Sequence, residues 1–217
     1  NQNLYNVSEN TSILNVFLSE IRSVEIQNDP MRFRRNMERI AEVMAYELSK
    51  KFNYAIKNVQ TPLGNAEIYL PDEKPVLATI LRAGLSMHQG LLNYFDRSES
   101  AFVSAYREHI NENEFEIKVD YLASPKIDDK VLIISDPMLA TGNSMINVFK
   151  ALLQQGNPKK VIVVTAIATP SAIELVKNQL PTNSEIWVAA IDAELTAQSY
   201  IVPGLGDAGD LAYGEKC

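Results

Sequence analysis

Apolar positions recur along this chain at two periods, and the period decides the element. Between Asn36 and Lys50, the residues Met37, Ile40, Ala41, Met44 and Leu48 fall on one side of a 3.6-residue repeat, which predicts an amphipathic helix. Further on, short runs are apolar almost throughout: VLATI (76–80), AFVSAY (101–106), VLIIS (131–135), VIVVTAIA (161–168) and IWVAAI (186–191). Such runs, bounded by turn signals, predict strands covered on both faces. Helix-like segments at about 84–95, 143–155 and 171–179 separate them, the middle one closed by Gly156. Pro158, Pro170 and Pro181 fall between elements, where proline does least damage. Buried strands alternating with helices predict an α/β fold, a parallel sheet core flanked by helices. Residues 106–125 depart from that rhythm. There EFEIKVDYL alternates polar and apolar positions, which predicts half of a β-hairpin arm projecting from the sheet. Residues 1–30 read as a mixed N-terminal arm packed on the body.

Composition narrows the class without changing this picture. The chain has 217 residues, 46% hydrophobic and 22% charged, as in an ordinary globular protein with one α/β core. No apolar run approaches the ~20 residues of a membrane span. The start NQNLYNVSEN lacks the basic and apolar regions of a signal peptide, so a soluble protein is expected. The single cysteine, Cys217, leaves no internal disulfide and fits a cytoplasmic setting. A net charge of −7 argues against broad nucleic-acid binding, yet leaves room for a local cationic pocket.

Candidate chemistry concentrates at VLIISDPMLATGNSMINVF (131–149). In open parallel sheets ligands bind beyond the carboxyl ends of the strands, and Asp136 sits at such an end. Residues Thr141 to Ser144 then lead into a helix whose first N–H groups have no partner within it, and whose dipole favours an anion. A phosphate at 141–144, with Asp136 accepting from the hydroxyls of a ribose, suits those groups; Gly142 would remove a Cβ from the approach. The alternative is structural: Thr141, Asn143 and Ser144 cap a helix and Asp136 begins a turn. The residues alone leave both open.

The same residues also carry a resemblance. DPMLATG followed by NS closely resembles the ribose-phosphate loop of the uracil phosphoribosyltransferases. ILRAG (80–84), AYR (105–107) and YIVPGLGDAGD (200–210) are similar to three further signatures of that family, in the same order. The last is particular to enzymes acting on uracil. Ser135 before Asp136 and Pro137 after it follow the uracil-enzyme pattern, where many relatives in the wider superfamily have two adjacent acids.

The resemblance implies a type I phosphoribosyltransferase fold as one domain over 1–217. It implies a pentosyltransferase that converts uracil and 5-phosphoribosyl 1-diphosphate (PRPP) to UMP and diphosphate in pyrimidine salvage. Mg²⁺ would be the cofactor, and the assembly a cytoplasmic homodimer or homotetramer. Arg82 and Arg107 would hold the diphosphate. Asp136, Pro137, Met138, Leu139, Ala140, Thr141, Gly142, Asn143 and Ser144 would hold the ribose and its 5-phosphate. Ile201, Gly206, Asp207 and Ala208 would form the uracil site, with Asp207 also near the diphosphate and its magnesium. Arg82, Arg107 and Asp207 would be the catalytic set. One departure stands out: the family pattern usually ends TGGS, and Asn143 replaces its second glycine. Asparagine tolerates left-handed backbone angles better than most residues. Its side chain would crowd the 5-phosphate or add a hydrogen bond to it.

Other candidates point elsewhere. MRFRRNMER (31–39) packs four arginines, Arg32, Arg34, Arg35 and Arg39, into a short space. They read as a solvated helix face paired with acids; since some family members respond to GTP, the alternative is an effector nucleotide site. His88 and His109 lack metal-ligand spacing and read as structural. A nucleotide-sensing RNA-binding regulator would need a basic surface, an enzyme acting on a purine would not carry the 200–210 segment, and a fused kinase would need a phosphate loop that is absent.

Overall fold

The computed structural model describes residues 3–109 and 115–217, with the backbone alone for 107–109 and 115–117. At the N-terminus lie β1 (Leu4–Asn6), α1 (Leu14–Arg22) and α2 (Pro30–Ser49). Helix α2 starts at Pro30 rather than Asn36, for a local reason. Asp29 caps it, accepting from the Met31 and Arg32 N–H groups, and Pro30 occupies the first turn, where an N–H has no partner to lose. Next comes a pair the apolar pattern does not predict, β2 (Tyr54–Thr61) and β3 (Gly64–Pro71), an antiparallel ribbon separate from the main sheet.

The remaining elements alternate. They are β4 (Val76–Leu81), α3 (Leu85–Tyr94), β5 (Ser100–His109), β6 (Phe115–Ala123), β7 (Val131–Ser135), β8 (Met138–Leu139) and α4 (Asn143–Leu152). Then follow β9 (Lys160–Ala168), α5 (Pro170–Gln179), β10 (Glu185–Ile191), β11 (Glu194–Leu195), β12 (Ile201–Val202) and α6 (Ala208–Tyr213). The main sheet runs β1-β10-β9-β7-β4-β5-β6, with β8 added to β9. Every pairing in it is parallel except β5 with β6.

Strands buried on both faces feed two cores. Val131 and Ile133 share one buried cluster with Leu14 of α1, Phe33 and Met37 of α2 and Leu91 of α3. Leu132 and Ile134 belong to the other, with Val148, Phe149, Ala172 and Val176 on α4 and α5. Each fully buried aliphatic chain contributes about 1.5–3 kcal/mol relative to exposure. A deletion such as Ile133→Ala would cost about 2–5 kcal/mol once its cavity is counted.

The arm expected at 106–125 differs from expectation in one respect. Strand β5 does not stop at Tyr106 but continues to His109, with a bulge at Ser104/Ala105, and pairs with β6. The root of the hairpin is therefore the edge of the main sheet, while 110–114 lie outside the described residues. Among the described residues no helix is long and apolar enough to cross a membrane.

Candidate active site

Parallel pairing puts the carboxyl ends of β4, β7, β9 and β10 on one side of the sheet, and the chain emerging there builds the site. After β7, the Asp136 N–H donates to the Val164 carbonyl at 3.1 Å. The Pro137 carbonyl accepts from Ala166 and Ile167, β8 pairs with β9, and the Thr169 hydroxyl donates to the Ala140 carbonyl at 2.7 Å. The loop is thus stitched to β9 up to the point where α4 begins. Gly142, the residue before α4, has φ +87 and supplies no capping side chain. Among the described residues the N–H groups of Thr141, Gly142 and Ser144 donate to no protein carbonyl, and that of Asn143 makes a long 3.4 Å contact with the Thr141 hydroxyl. Unsatisfied donors at a helix start suit an anion.

Glycine is required at 142 for a reason other than ligand approach. A Cβ there would lie 3.0 Å from Val176 Cγ2 and 3.2 Å from the Ala172 carbonyl. It would press on α5, and the φ of +87 adds strain for any residue with a side chain. Because Gly142 takes the left-handed backbone, Asn143 does not need it: Asn143 is the first residue of α4, exposed to solvent.

Arg82 follows β4. Its Nη2 donates to Asp210 Oδ1 at 2.9 Å and to the Gly214 carbonyl at 3.0 Å. The Leu81–Arg82 peptide is cis. Asp207 caps α6, its Oδ1 accepting from the Asp210 N–H at 2.9 Å, while Oδ2 lies 3.9 Å from Lys216 Nζ. Gly206 has φ +96, and a Cβ on it would enter open space.

These segments enclose one cavity of about 290 Å³. Its walls include Arg82, Asp136, Met138, Leu139, Ala140, Thr141, Gly142 and Ser144 on one side and Ile201, Gly206, Asp207 and Ala208 on the other. Pro137 and Asn143 do not line it. Arg107 lies on β5 with its backbone paired to Ile117, and its side chain is outside the described residues. The cavity also has walls to which the sequence reading assigned no role: Ile80, Leu81 and Ala83 of the ILRAG motif, Met145, Ser199, Tyr200, Gly209 and Lys216. Tyr200 and Gly209 lie within the quoted 200–210 segment and Ser199 adjoins it, so that signal was available; Lys216 carried none.

The Asp136 carboxyl, with no hydrogen-bond donor of the protein beside it among the described residues, is pushed up to about 8 by burial. Hydroxyl donors of a bound sugar would favour its charged form. No group of three or more His, Cys, Asp or Glu side chains that could hold a metal occurs among the described residues.

The remaining candidates have structural partners. Arg32 pairs with Glu20, Arg35 with Glu38 and Glu42, and Arg39 with Asn36 and Glu20, while Arg34 donates to the Ala212 carbonyl. His88 is buried, bonds Ser100 Oγ through Nε2 at 3.0 Å, and burial lowers its pKa to about 4. The His109 side chain lies outside the described residues, and Cys217 is exposed.

Over residues 7–215 the sequence matches the family model described as uracil phosphoribosyltransferase. It is 59% identical over 205 residues to the uracil phosphoribosyltransferase of Porphyromonas gingivalis, covering 94% of this chain and 95% of that one. It is 38% identical over 188 residues to the enzyme of the same name from Methanothermobacter thermautotrophicus, covering 86% and 85%. Among solved structures, the AQ2163 protein from Aquifex aeolicus superposes with TM-score 0.85 at 29% identity, covering 97% of this chain and 98% of that one. A hypoxanthine phosphoribosyltransferase from Staphylococcus aureus superposes with TM-score 0.50 at 16% identity over 75% of this chain and 76% of its own, which shares the fold alone.

Proposed function

Because the chain belongs to the uracil phosphoribosyltransferase family, we propose that it joins uracil to PRPP, releasing diphosphate and forming UMP for pyrimidine salvage. The observation that carries this reading is the sharing of one cavity by the 138–144 loop, with its unpaired N–H groups, and the 201–208 segment. One offers donors to a phosphate, the other a flat, small-residue wall to a base.

The roles follow from charge. The bond from ribose C1 to the diphosphate oxygen breaks with its electron pair leaving on diphosphate; uracil N1 bonds to C1 and gives up its proton. Negative charge grows on the leaving group, so a guanidinium meeting it stabilises the transition state more than the ground state. Arg82, with Nη1 and Nε not used in its bonds to Asp210 and Gly214, is the cavity's arginine for that task, and Arg107 is proposed as the second. Asp136 accepts from the ribose hydroxyls and residues 141–144 hold the 5-phosphate. Ile201, Gly206 and Ala208 receive uracil. With the wall carboxylates assigned to the ribose and the diphosphate and none to attack on C1, rate enhancement comes from positioning and electrostatics.

Magnesium fits as a passenger of the diphosphate. The described acids provide no ready-made metal cage, and Asp207 is the wall residue placed to add a carboxylate oxygen. When bound, the ion would offset charge on the diphosphate oxygens. A homodimer or homotetramer in the cytoplasm is proposed on the family resemblance. For the arginines of α2, the acid partners of Arg32, Arg35 and Arg39 and the Ala212 carbonyl bonded by Arg34 favour the structural reading over a GTP site.

The test is direct. Purified protein supplied with uracil, PRPP and Mg²⁺ should form UMP and diphosphate in equal amounts, with GTP included or omitted to read any effector. Absence of UMP under those conditions sinks the proposal.

A further inference from the structure

The segment proposed to hold the base is itself held, from outside the cavity, by two charged residues far apart in sequence. Gly204 makes its turn, with φ +53, and a Cβ there would lie 2.1 Å from the Ile201 carbonyl oxygen. Both backbone groups of Gly204 are taken. Its N–H donates to Asp192 Oδ2 at 2.8 Å, and its carbonyl accepts from Arg22 Nη1 at 3.0 Å. Arg22 and Asp192 meet as a fork: Nη1 to Oδ2 at 2.7 Å and Nη2 to Oδ1 at 2.8 Å. Next along the chain, Gln27 Nε2 bridges the Leu205 carbonyl at 3.0 Å and the Ile21 carbonyl at 2.7 Å.

Neither charged residue lines the cavity. Asp192 is 6% exposed and follows β10, with its own N–H donating to the Ala168 carbonyl at 2.9 Å. Arg22 closes α1, whose buried residues Leu14, Phe17, Leu18 and Ile21 anchor it in the core. Burial works to raise the Asp192 carboxyl, but the Arg22 hydrogen bond, the Gly204 N–H and the Arg22 charge outweigh it and hold it below the ordinary carboxylate value. The aspartate is therefore charged, and its charge is spent on one arginine and one turn.

A buried ion pair is a poor way to gain stability alone, because desolvation opposes the Coulombic gain. It is an effective way to hold geometry, since a bidentate fork fixes direction as well as distance. We propose that Arg22 and Asp192 are positioning residues, a clamp that fixes Gly204 and so presents Gly206, Asp207 and Ala208 to the base. The inference rests on the reading that 201–208 receives uracil. By it, the N-terminal helix α1 sets affinity for the base without touching it.

The experiment uses Asp192→Asn and Arg22→Met in the full chain, with Arg22→Lys as the conservative variant. Each substrate is varied in turn. The KM for uracil should rise about tenfold or more in the first two, since one charge-assisted contact is worth about that factor. The KM for PRPP and kcat, which depend on the clamp only through Asp207, should change less than the KM for uracil. Arg22→Lys, which keeps the charge but not the fork, should fall between. The double variant should be no worse than the poorer single one, because both act through Gly204. Amide hydrogen exchange across 201–206 should quicken in each variant, a readout independent of activity. If a variant fails to fold, Gln27→Ala, which frees the Leu205 and Ile21 carbonyls but leaves the Arg22–Asp192 fork in place, should move the same two readouts in the same direction by less. An unchanged uracil KM in folded variants, or equal rises for both substrates, overturns the clamp. Should the wild type make no UMP, the uracil reading fails on its own, and exchange alone decides the clamp: unaltered exchange rejects it.

Discussion

Arg82 Nη2 donates to Asp210 Oδ1 at 2.9 Å, a bond that joins the loop after β4 to the helix capped by Asp207. Two walls of the cavity, 128 residues apart in sequence, are thereby fixed to each other. Only one of the three guanidinium nitrogens is engaged in this way, so the group is oriented by protein and still able to meet an anion.

Arg82→Ala should lower kcat/KM for PRPP by about a hundredfold, the size of loss seen when one preorganised transition-state contact is removed. Asp210→Asn keeps the arginine but loosens it, and a fall of about tenfold or less is expected. Arg107→Ala should resemble Arg82→Ala, with uracil binding nearly intact. Steady-state rates at varied PRPP check all three; wild-type turnover in either arginine variant removes that residue from the site.

If Asp136 accepts from the ribose as proposed, binding of the sugar donor is expected to depend on pH. Its folded-state pKa of about 8 lies above the unfolded value of 3.8, so the folded protein binds the extra proton between them and loses stability as pH rises through that window. Asp136→Asn should therefore raise the melting temperature of the ligand-free protein near pH 8, by about 2–4 °C for each kcal/mol recovered. Ribose hydroxyls select the carboxylate, so affinity for PRPP should grow up to tenfold per pH unit from 7 to 8 and then level. Calorimetric titration at several pH values measures it, and a flat profile would mean that the Asp136 carboxyl does not change charge over this range.

Asn143→Gly should change the KM for PRPP by less than about threefold. The Asn143 side chain is exposed and outside the cavity, and Gly142 carries the left-handed turn. A rise of tenfold or more would mean that Asn143 swings in to serve the phosphate.

Gly206→Val should abolish use of uracil. A β-branched residue is strained at φ +96, and its side chain would fill space that is open in the cavity. Leu205 is buried in the core, so Leu205→Met, which nearly conserves volume, should alter base selectivity little. The wild type should reject cytosine by about 10⁴, as expected when buried polar groups matched to one base are left unpaired by another. Competition between the two bases at equal concentration reads both effects. Comparable yields of UMP and CMP would contradict the uracil assignment.

Local chemistry determined a good part of this protein. Strands β4, β7, β9 and β10 were legible because a strand covered on both faces must be apolar at successive positions. The 136–144 and 200–210 segments, which the structure brings to one cavity, could be picked out beforehand because each motif is contiguous in the chain. Where burial is partial or absent, the same reasoning loses its signal. The β2–β3 ribbon is exposed on both faces, with Leu63 at 99%, so no alternation marks it beyond the turn between Thr61 and Gly64. The three-residue β1 shows no period at all, and exists because the edge of β10 was there to pair with it. Three matters belonged to the tertiary structure alone. Gly142 answers to α5, which packs against it from thirty residues away. Asp136 is shifted by burial, which no local sequence expresses. Arg22, Asp192 and Gly204 become one unit only when α1 and β10 come together, because a hydrogen bond is set by distance in space and the chain records only order.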